Sequence, residues 1–258
     1  MLNKYTLFIS QLIAHFALIH LIVYGNLYYW TVCLTAYFFN GCIGMTVTYH
    51  RGLAHKSWEM PKIFEWFGTL CATVGMTGSA ISWVAIHRKH HRFTDTEKDP
   101  HSPAFKSFFF CHWLSMFIPV EARYVPDLLR RPFYRFQHNY YFFISIVYGL
   151  ALYLLDPFLV VAGWLAPAAI LWNGGSSIVT LAHLWDNKIK ETKDYSRNDW
   201  LLALFVWGEG WHNNHHALPN SPRFSKYWWQ WDPGYYMICF VEWISKTLKT
   251  VNVFQRTR

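Results

Sequence analysis

The sequence predicts an all-α integral membrane protein: four transmembrane helices paired as two hairpins, joined to a polar helical cap that carries a histidine-rich metal site. Three observations lead there. Hydrophobic residues make up 53% of the 258 positions and charged residues only 15%, well under the roughly 25% of soluble domains. Two apolar blocks, 5–47 and 140–177, are each long enough for two helices of ~20 residues, the length that crosses the hydrocarbon core. All 23 Lys and Arg lie at Lys4, within 51–135 or within 188–258, and neither hairpin turn holds one. The mean hydropathy of +0.08 requires a large polar part beside the spans. Disordered, collagen-like and coiled-coil chains are excluded by the same figures.

The first block breaks at Gly25-Asn26, which gives helices over about 5–24 and 27–48. Its first helix is too long for a cleavable signal, and no small-residue cleavage site follows it. The apolar segment 63–84 contains Glu65 and several Gly, Thr and Ser residues. A single crossing there would put the flanking histidines in opposite compartments, so an interfacial or re-entrant helix is expected. Stretches 105–120 and 235–253 read as amphipathic surface helices, the second with Glu242 and Lys246 at i,i+4. The second block breaks at Asp156-Pro157, giving helices over about 139–155 and 158–178, and a polar loop, Asp186–Asp199, follows. Without repeats or low-complexity linkers, 1–258 reads as one domain with a cap of about 50–138 and 183–258. Positive residues stay on the cytoplasmic side, so both termini and the cap are expected there. The net charge of +8 then faces anionic lipid headgroups rather than nucleic acid.

Five scattered cysteines without a C-x-x-C pair leave thiolate metal sites and disulfide frameworks unsupported. The chemistry lies in histidine. Three clusters sit just outside the spans: His50 and His55; His87, His90 and His91; His212, His215 and His216. In each H-x-x-H-H cluster, positions i, i+3 and i+4 share one helix face, so each is expected to aim three imidazoles at one point. Eight imidazoles exceed what one ion takes and suit two, with a redox metal that handles oxygen, iron first, favoured by the nitrogen-rich set. His15, His20, His112 and His138 read as satisfied core residues, and His101 as a loop-capping residue or one that orients a ligand.

The series H-R-x-x-x-H, H-R-x-H-H and E-G-W-H-N-N-H-H, in this order between paired spans, resembles the membrane-bound fatty acid desaturases, most closely the Δ9 (stearoyl-type) branch. The resemblance covers roughly 30–235 and includes Thr94-Asp95 and Asp99-Pro100-His101. It implies a ninth ligand, His183, and a di-iron site that uses O2 and two external electrons to put a cis double bond into a saturated acyl chain. Arg51, Arg88, Asp95, Asp99, Asp186 and Glu209 become candidates for orienting the imidazoles. Two positions depart from the family pattern. Val179 stands where relatives place an Asn that reaches one iron through water, with Ser176, Ser177 or Thr180 as possible substitutes. Ala85-Ile86 replace the Arg-Asp pair of animal acyl-CoA enzymes, which points to the bacterial and cyanobacterial acyl-lipid type. With no cytochrome b5 domain in the sequence, the electrons are expected from a separate donor such as ferredoxin or cytochrome b5. The family's acyl tunnel ends on the second span about three turns before the first box. Twelve residues back from His50, ~18 Å along an α-helix, lies Phe38, with Leu34 one turn deeper.

Three rivals share parts of this pattern. A histidine-box di-iron hydroxylase or oxygenase of an alkane, sterol or carotenoid differs chiefly in the third box and the span plan. A bis-histidine haem protein needs facing histidines inside the spans, where His15 and His20 find no partner. A zinc transporter needs intramembrane charge, and the spans are nearly bare of it.

Overall fold

The computed structural model describes residues 3–184 and 192–256, and within them the chain is helical, with a single isolated bridge between Asn198 and Trp211. Helix α1 (Lys4–Tyr24) is capped by Asn3, whose side chain accepts from the Tyr5 amide. At the predicted turn the Gly25 amide bonds the Leu21 carbonyl, and Asn26 caps the next helix by accepting from Tyr29 N–H. That helix, α2 (Leu27–Ala54), keeps α hydrogen bonding to Phe38 and turns π-helical over Phe39–Ala54. In the second hairpin Asp156 caps the Pro157 helix by accepting from Phe158 N–H. Its carboxylate also accepts the Tyr29 hydroxyl at 2.7 Å, which ties the two hairpins together at that end of the bundle.

Among the described residues three helices are long and apolar enough to cross a membrane: α1, α2 and α9 (Pro157–Leu184). A fourth span exists only if α7 (Pro132–Asn139) and α8 (Tyr141–Leu155), bent by 69°, count together. Exposed side chains of α1 (Ile9, Ile13, Phe16) and α8 (Phe143, Ile146, Leu150) give the bundle an apolar outer surface, the signature of helices that meet lipid rather than water.

The segment 63–84 is not one helix. It forms α3 (Lys62–Val74) and α4 (Ala80–Phe93), separated by a turn in which Met76 and Gly78 take positive φ values of 57° and 110°. Ser79 caps α4, and the Gly78 amide donates to Tyr141 Oη. The chain thus dips and returns, and the histidines on its two sides stay together. Helix α3 runs antiparallel along the π-helical part of α2, nearly backbone to backbone. A Cβ on Gly44 would lie 2.5 Å from Ala72 N, and one on Gly68 2.0 Å from Thr48 Oγ1. Stretch 105–120 yields only a short α5 (Phe108–Trp113) and a 3-10 turn at Ser115–Phe117. A second 3-10 turn (Ala122–Tyr124) and α6 (Pro126–Leu129) lead into α7. Short helices α10 (Trp200–Phe205) and α11 (His212–Ala217) precede the closing α12 (Pro233–Arg256).

Candidate metal centre

Nine imidazoles converge where α2, α4, α9 and α11 meet. They form two groups, each with its ligating nitrogens within 4.8 Å of one another: His50, His55, His87, His91 and His215 in one, His90, His183, His212 and His216 in the other. The five-residue spacing of His50 and His55 is explained by the π register. In an α-helix such residues lie about 140° apart, whereas i→i+5 bonding brings them to one side. The His55 amide bonds the His50 carbonyl, and the two rings sit 4.9 Å apart.

The H-x-x-H-H clusters do not each serve one point, contrary to the reading of helix faces. His87 and His91 join the first group while His90 joins the second, and His215 separates likewise from His212 and His216. Helical geometry supplies the reason: i and i+4 differ by about 40°, but i+3 and i+4 by about 100°. The i,i+4 pair therefore stays on one group and the middle histidine turns to the other.

Carboxylates hold four of the rings from outside. Glu209 Oε2 accepts from His50 Nδ1 at 2.5 Å, Asp99 from His90 at 2.8 Å, Asp95 from His183 at 2.8 Å and Asp194 from His216 at 3.1 Å. Each of these bonds places the proton on Nδ1 and leaves Nε2 with an inward lone pair. The lone pairs face one another with no proton to share: His183 Nε2 and His216 Nε2 both lie 3.0 Å from His212 Nε2, which cannot donate to both. In the first group His50 and His91 each approach His215 Nε2 at 3.1 Å. Such convergence of unshared pairs suits a bound cation in each group. Six of the rings are also held in the ligating, neutral form. Burial, with His50 adding to it, pushes His55 down to about 2, and burial drives His87, His91, His212 and His215 far below the ordinary histidine value. Burial takes His216 to about 4 against the opposing pull of Asp194. Burial also raises the Asp194 carboxyl, but the hydrogen bond and charge of His216, joined by hydrogen bonds from Ser196 and Thr192, together outweigh this and leave it below its usual range.

Arg51 and Arg88 touch no imidazole. Arg51 is fully buried, 2.8 Å from Asp232 and 3.5 Å from Glu209, with its guanidinium 3.8 Å over the Phe224 ring. Arg88 pairs with Asp127 and donates to the carbonyls of Leu53 and Ala54, fastening α4 to the end of α2. Asp186 lies outside the described residues. Asp194, Asp232 and Asp127 were not singled out from sequence. The only hint for Asp194 is its place in the polar loop, which Asn213 anchors by donating to Thr192 and Ser196.

A cavity of about 510 Å³ runs from the imidazoles of His50, His87, His90 and His212 between apolar walls that include Met45, Trp83 and Leu171. The first turn of α1, at Lys4 and Leu7, and residues 115–120 also line it. Val179 lines it, while Thr180 Oγ1 bonds the Ser176 carbonyl and meets His112 Nδ1 at 3.1 Å. Leu34 and Phe38 do not line it. Leu34 is exposed on the outer surface and Phe38 packs on Trp207, ring centres 6.4 Å apart. Counting back from His50 with α-helical rise and periodicity passes through the π segment, where neither applies, so the face reached is a different one.

Residues 24–231 match the fatty acid desaturase family. The chain is 38% identical to Delta-9 acyl-lipid desaturase 2 of Arabidopsis thaliana, over 84% of this chain and 74% of that one. It is 36% identical to the sn-1 stearoyl-lipid 9-desaturase of Synechocystis sp., over 80% and 66%. It is also 37% identical to the Acyl-CoA C20 Delta5-desaturase of Anemone leveillei, over 83% and 70%. These matches favour desaturation over the hydroxylase reading. Spans, histidine groups and relatives agree, and the chain belongs to the fatty acid desaturase family as a membrane-bound oxidoreductase of lipid metabolism.

Proposed function

We propose that this chain introduces a cis double bond at Δ9 of a saturated acyl chain esterified in a membrane lipid, using O2 and two electrons from a separate donor such as ferredoxin or cytochrome b5. The observation that carries this reading is the apolar cavity opening directly on both imidazole groups. Its volume falls within the roughly 300–1,000 Å³ of small-molecule sites. Two irons, one per histidine group, supply the oxidising power that an unactivated methylene requires and no side-chain acid or base possesses. The chain's own residues do the rest. His50, His55, His87, His91 and His215 hold one ion, and His90, His183, His212 and His216 the other. Glu209, Asp99, Asp95 and Asp194 lock the ring orientations. The apolar walls keep the acyl chain extended past the metals and exclude water.

The acyl-lipid assignment is supported by the cavity's lining and by the residues before the second box. The lining includes the first turn of α1, a helix whose outer face is apolar and exposed, an approach suited to a substrate arriving from the bilayer. Ala85 is buried and Ile86 lines the cavity, so neither offers charge to coenzyme A. The four-span plan, with α7–α8 as the bent third span, puts both termini and the metal centre on the cytoplasmic face. The Lys and Arg distribution supports it. Expression in a host lacking Δ9 desaturation, with double bonds located in the total lipid, tests the reaction. New Δ9 species in membrane lipids are expected. Their absence with iron loaded and donors supplied would sink the reading. Purified enzyme offered both carriers tests the second part, and faster turnover of acyl-CoA would remove the acyl-lipid assignment.

A further inference from the structure

The two histidine groups are unequal, five imidazoles against four. Beside the smaller group lies a tenth imidazole that the nine-ligand set does not use. His101 follows Asp99-Pro100 and is 7% exposed, and its Nε2 is buried without any hydrogen-bond partner. Buried ring nitrogens are ordinarily paired, so an orphan at this place needs an occupant. One carboxylate ties the residue to the metal centre: Asp99 Oδ1 accepts the His101 amide at 3.0 Å while Asp99 Oδ2 holds His90 Nδ1 at 2.8 Å. The His101 and His90 rings lie 4.8 Å apart, and both line the acyl cavity together with His212.

We propose that His101 completes the four-imidazole site, holding through its ring a water that occupies the remaining position on that ion. The assignment to a water rather than to a direct bond follows from distance. Two nitrogens on one ion, each at 2.0–2.1 Å, are at most about 4.2 Å apart. His101 shares a set of ligand atoms within 4.8 Å with His90 and Asp99, and does not belong to the set that includes His183, His212 and His216. His101 is thus a positioning residue at the junction of metal and cavity, where a water on the second ion would face the acyl chain. The inference rests on the two-metal reading above.

The test is cobalt(II) binding by the metal-free, full-length protein in detergent, followed by metal per chain and by the visible ligand-field bands. The parent should take two ions. His101→Leu fills the same space without a donor. It should keep the first ion at parental affinity, bind the second roughly 10–100-fold more weakly, as loss of an outer partner does, and show altered bands for that ion alone. His101→Gln, which can again hold a water, should recover most of the second affinity. His20→Ala serves as the control and should match the parent. Equal loss in both His101 variants, or no loss in either, overturns the inference. A parent that takes fewer than two ions overturns the two-metal reading, and this inference with it.

Discussion

Removing the Arg51 side chain is the most direct test of how the centre is held. The guanidinium has no exposure, and it sits between Asp232 at 2.8 Å and Glu209 at 3.5 Å while Nη1 donates to the Pro222 carbonyl at 2.8 Å. Asp232 keeps three amide donors without it, from Phe224, Ser225 and Tyr235. Glu209 keeps only its bond to His50. Arg51→Ala therefore leaves two buried carboxylates with no cation. Breaking a buried pair in this way costs about 3–5 kcal/mol. At roughly 2–4 °C per kcal/mol for a chain of this size, Tm should fall by about 6–20 °C. The measurement is thermal unfolding of the metal-free protein in detergent, so that metal loss does not enter. Arg51→Met combined with Glu209→Gln, whose carbonyl oxygen can still accept from His50, should be less damaging than Arg51→Ala alone, because one unpaired charge is gone. A drop under about 2 °C for Arg51→Ala, or a double variant worse than the single one, would refute the reasoning.

Further outcomes follow from the same geometry. Asp194→Asn should weaken metal binding about 10–100-fold, since His216 loses the carboxylate that sets its tautomer; unchanged metal per chain at limiting iron would contradict that role. Phe38→Ala should leave the product chain-length profile unaltered, whereas Leu171→Trp, on the cavity wall, should shift it to shorter chains; lipid analysis in one host decides both. The metal-free protein should be insensitive to pH above about 6.5 and lose stability below it. The sign follows because burial keeps His55 and His216 neutral in the fold, near 2 and 4, while the unfolded chain takes up protons. Equal Tm at pH 7.5 and 5.5 would contradict this.

Three of the expected spans and the eight box imidazoles were legible because hydropathy and residue type are local properties, whereas His183 came only with the family resemblance. Both hairpin turns fell where Asn26 and Asp156 mark helix starts. What stayed hidden depends on geometry that residue type does not carry. Neither the long π segment at Phe39–Ala54 nor its effect on the face of Phe38 follows from α periodicity. The break in 63–84 had a signal, Gly75 and Gly78 within an apolar run, but the demand for one re-entrant element outweighed it. Asp127 lies in the one-turn helix α6, and Asp194 and Asp232 are single acids in loops; their partners lie 39, 22 and 181 positions away, a separation that no motif spans.

Two of the four carboxylate–imidazole bonds tie the surroundings of one box to a ligand elsewhere in the chain. Glu209, just before the third box, holds His50 of the first, and Asp95, just after the second, holds His183 on α9. Asp194, from the loop, holds His216 of the third box, and only Asp99 serves its own neighbourhood through His90. A histidine box is therefore not a portable cassette. A chimera that receives one box from a relative imports ligands whose orienting acids stay behind in the donor, and it strands acids whose imidazoles have been replaced. Recombination within such a chain should tolerate crossovers that carry Glu209 together with His50, or Asp95 with His183, and reject those that part them.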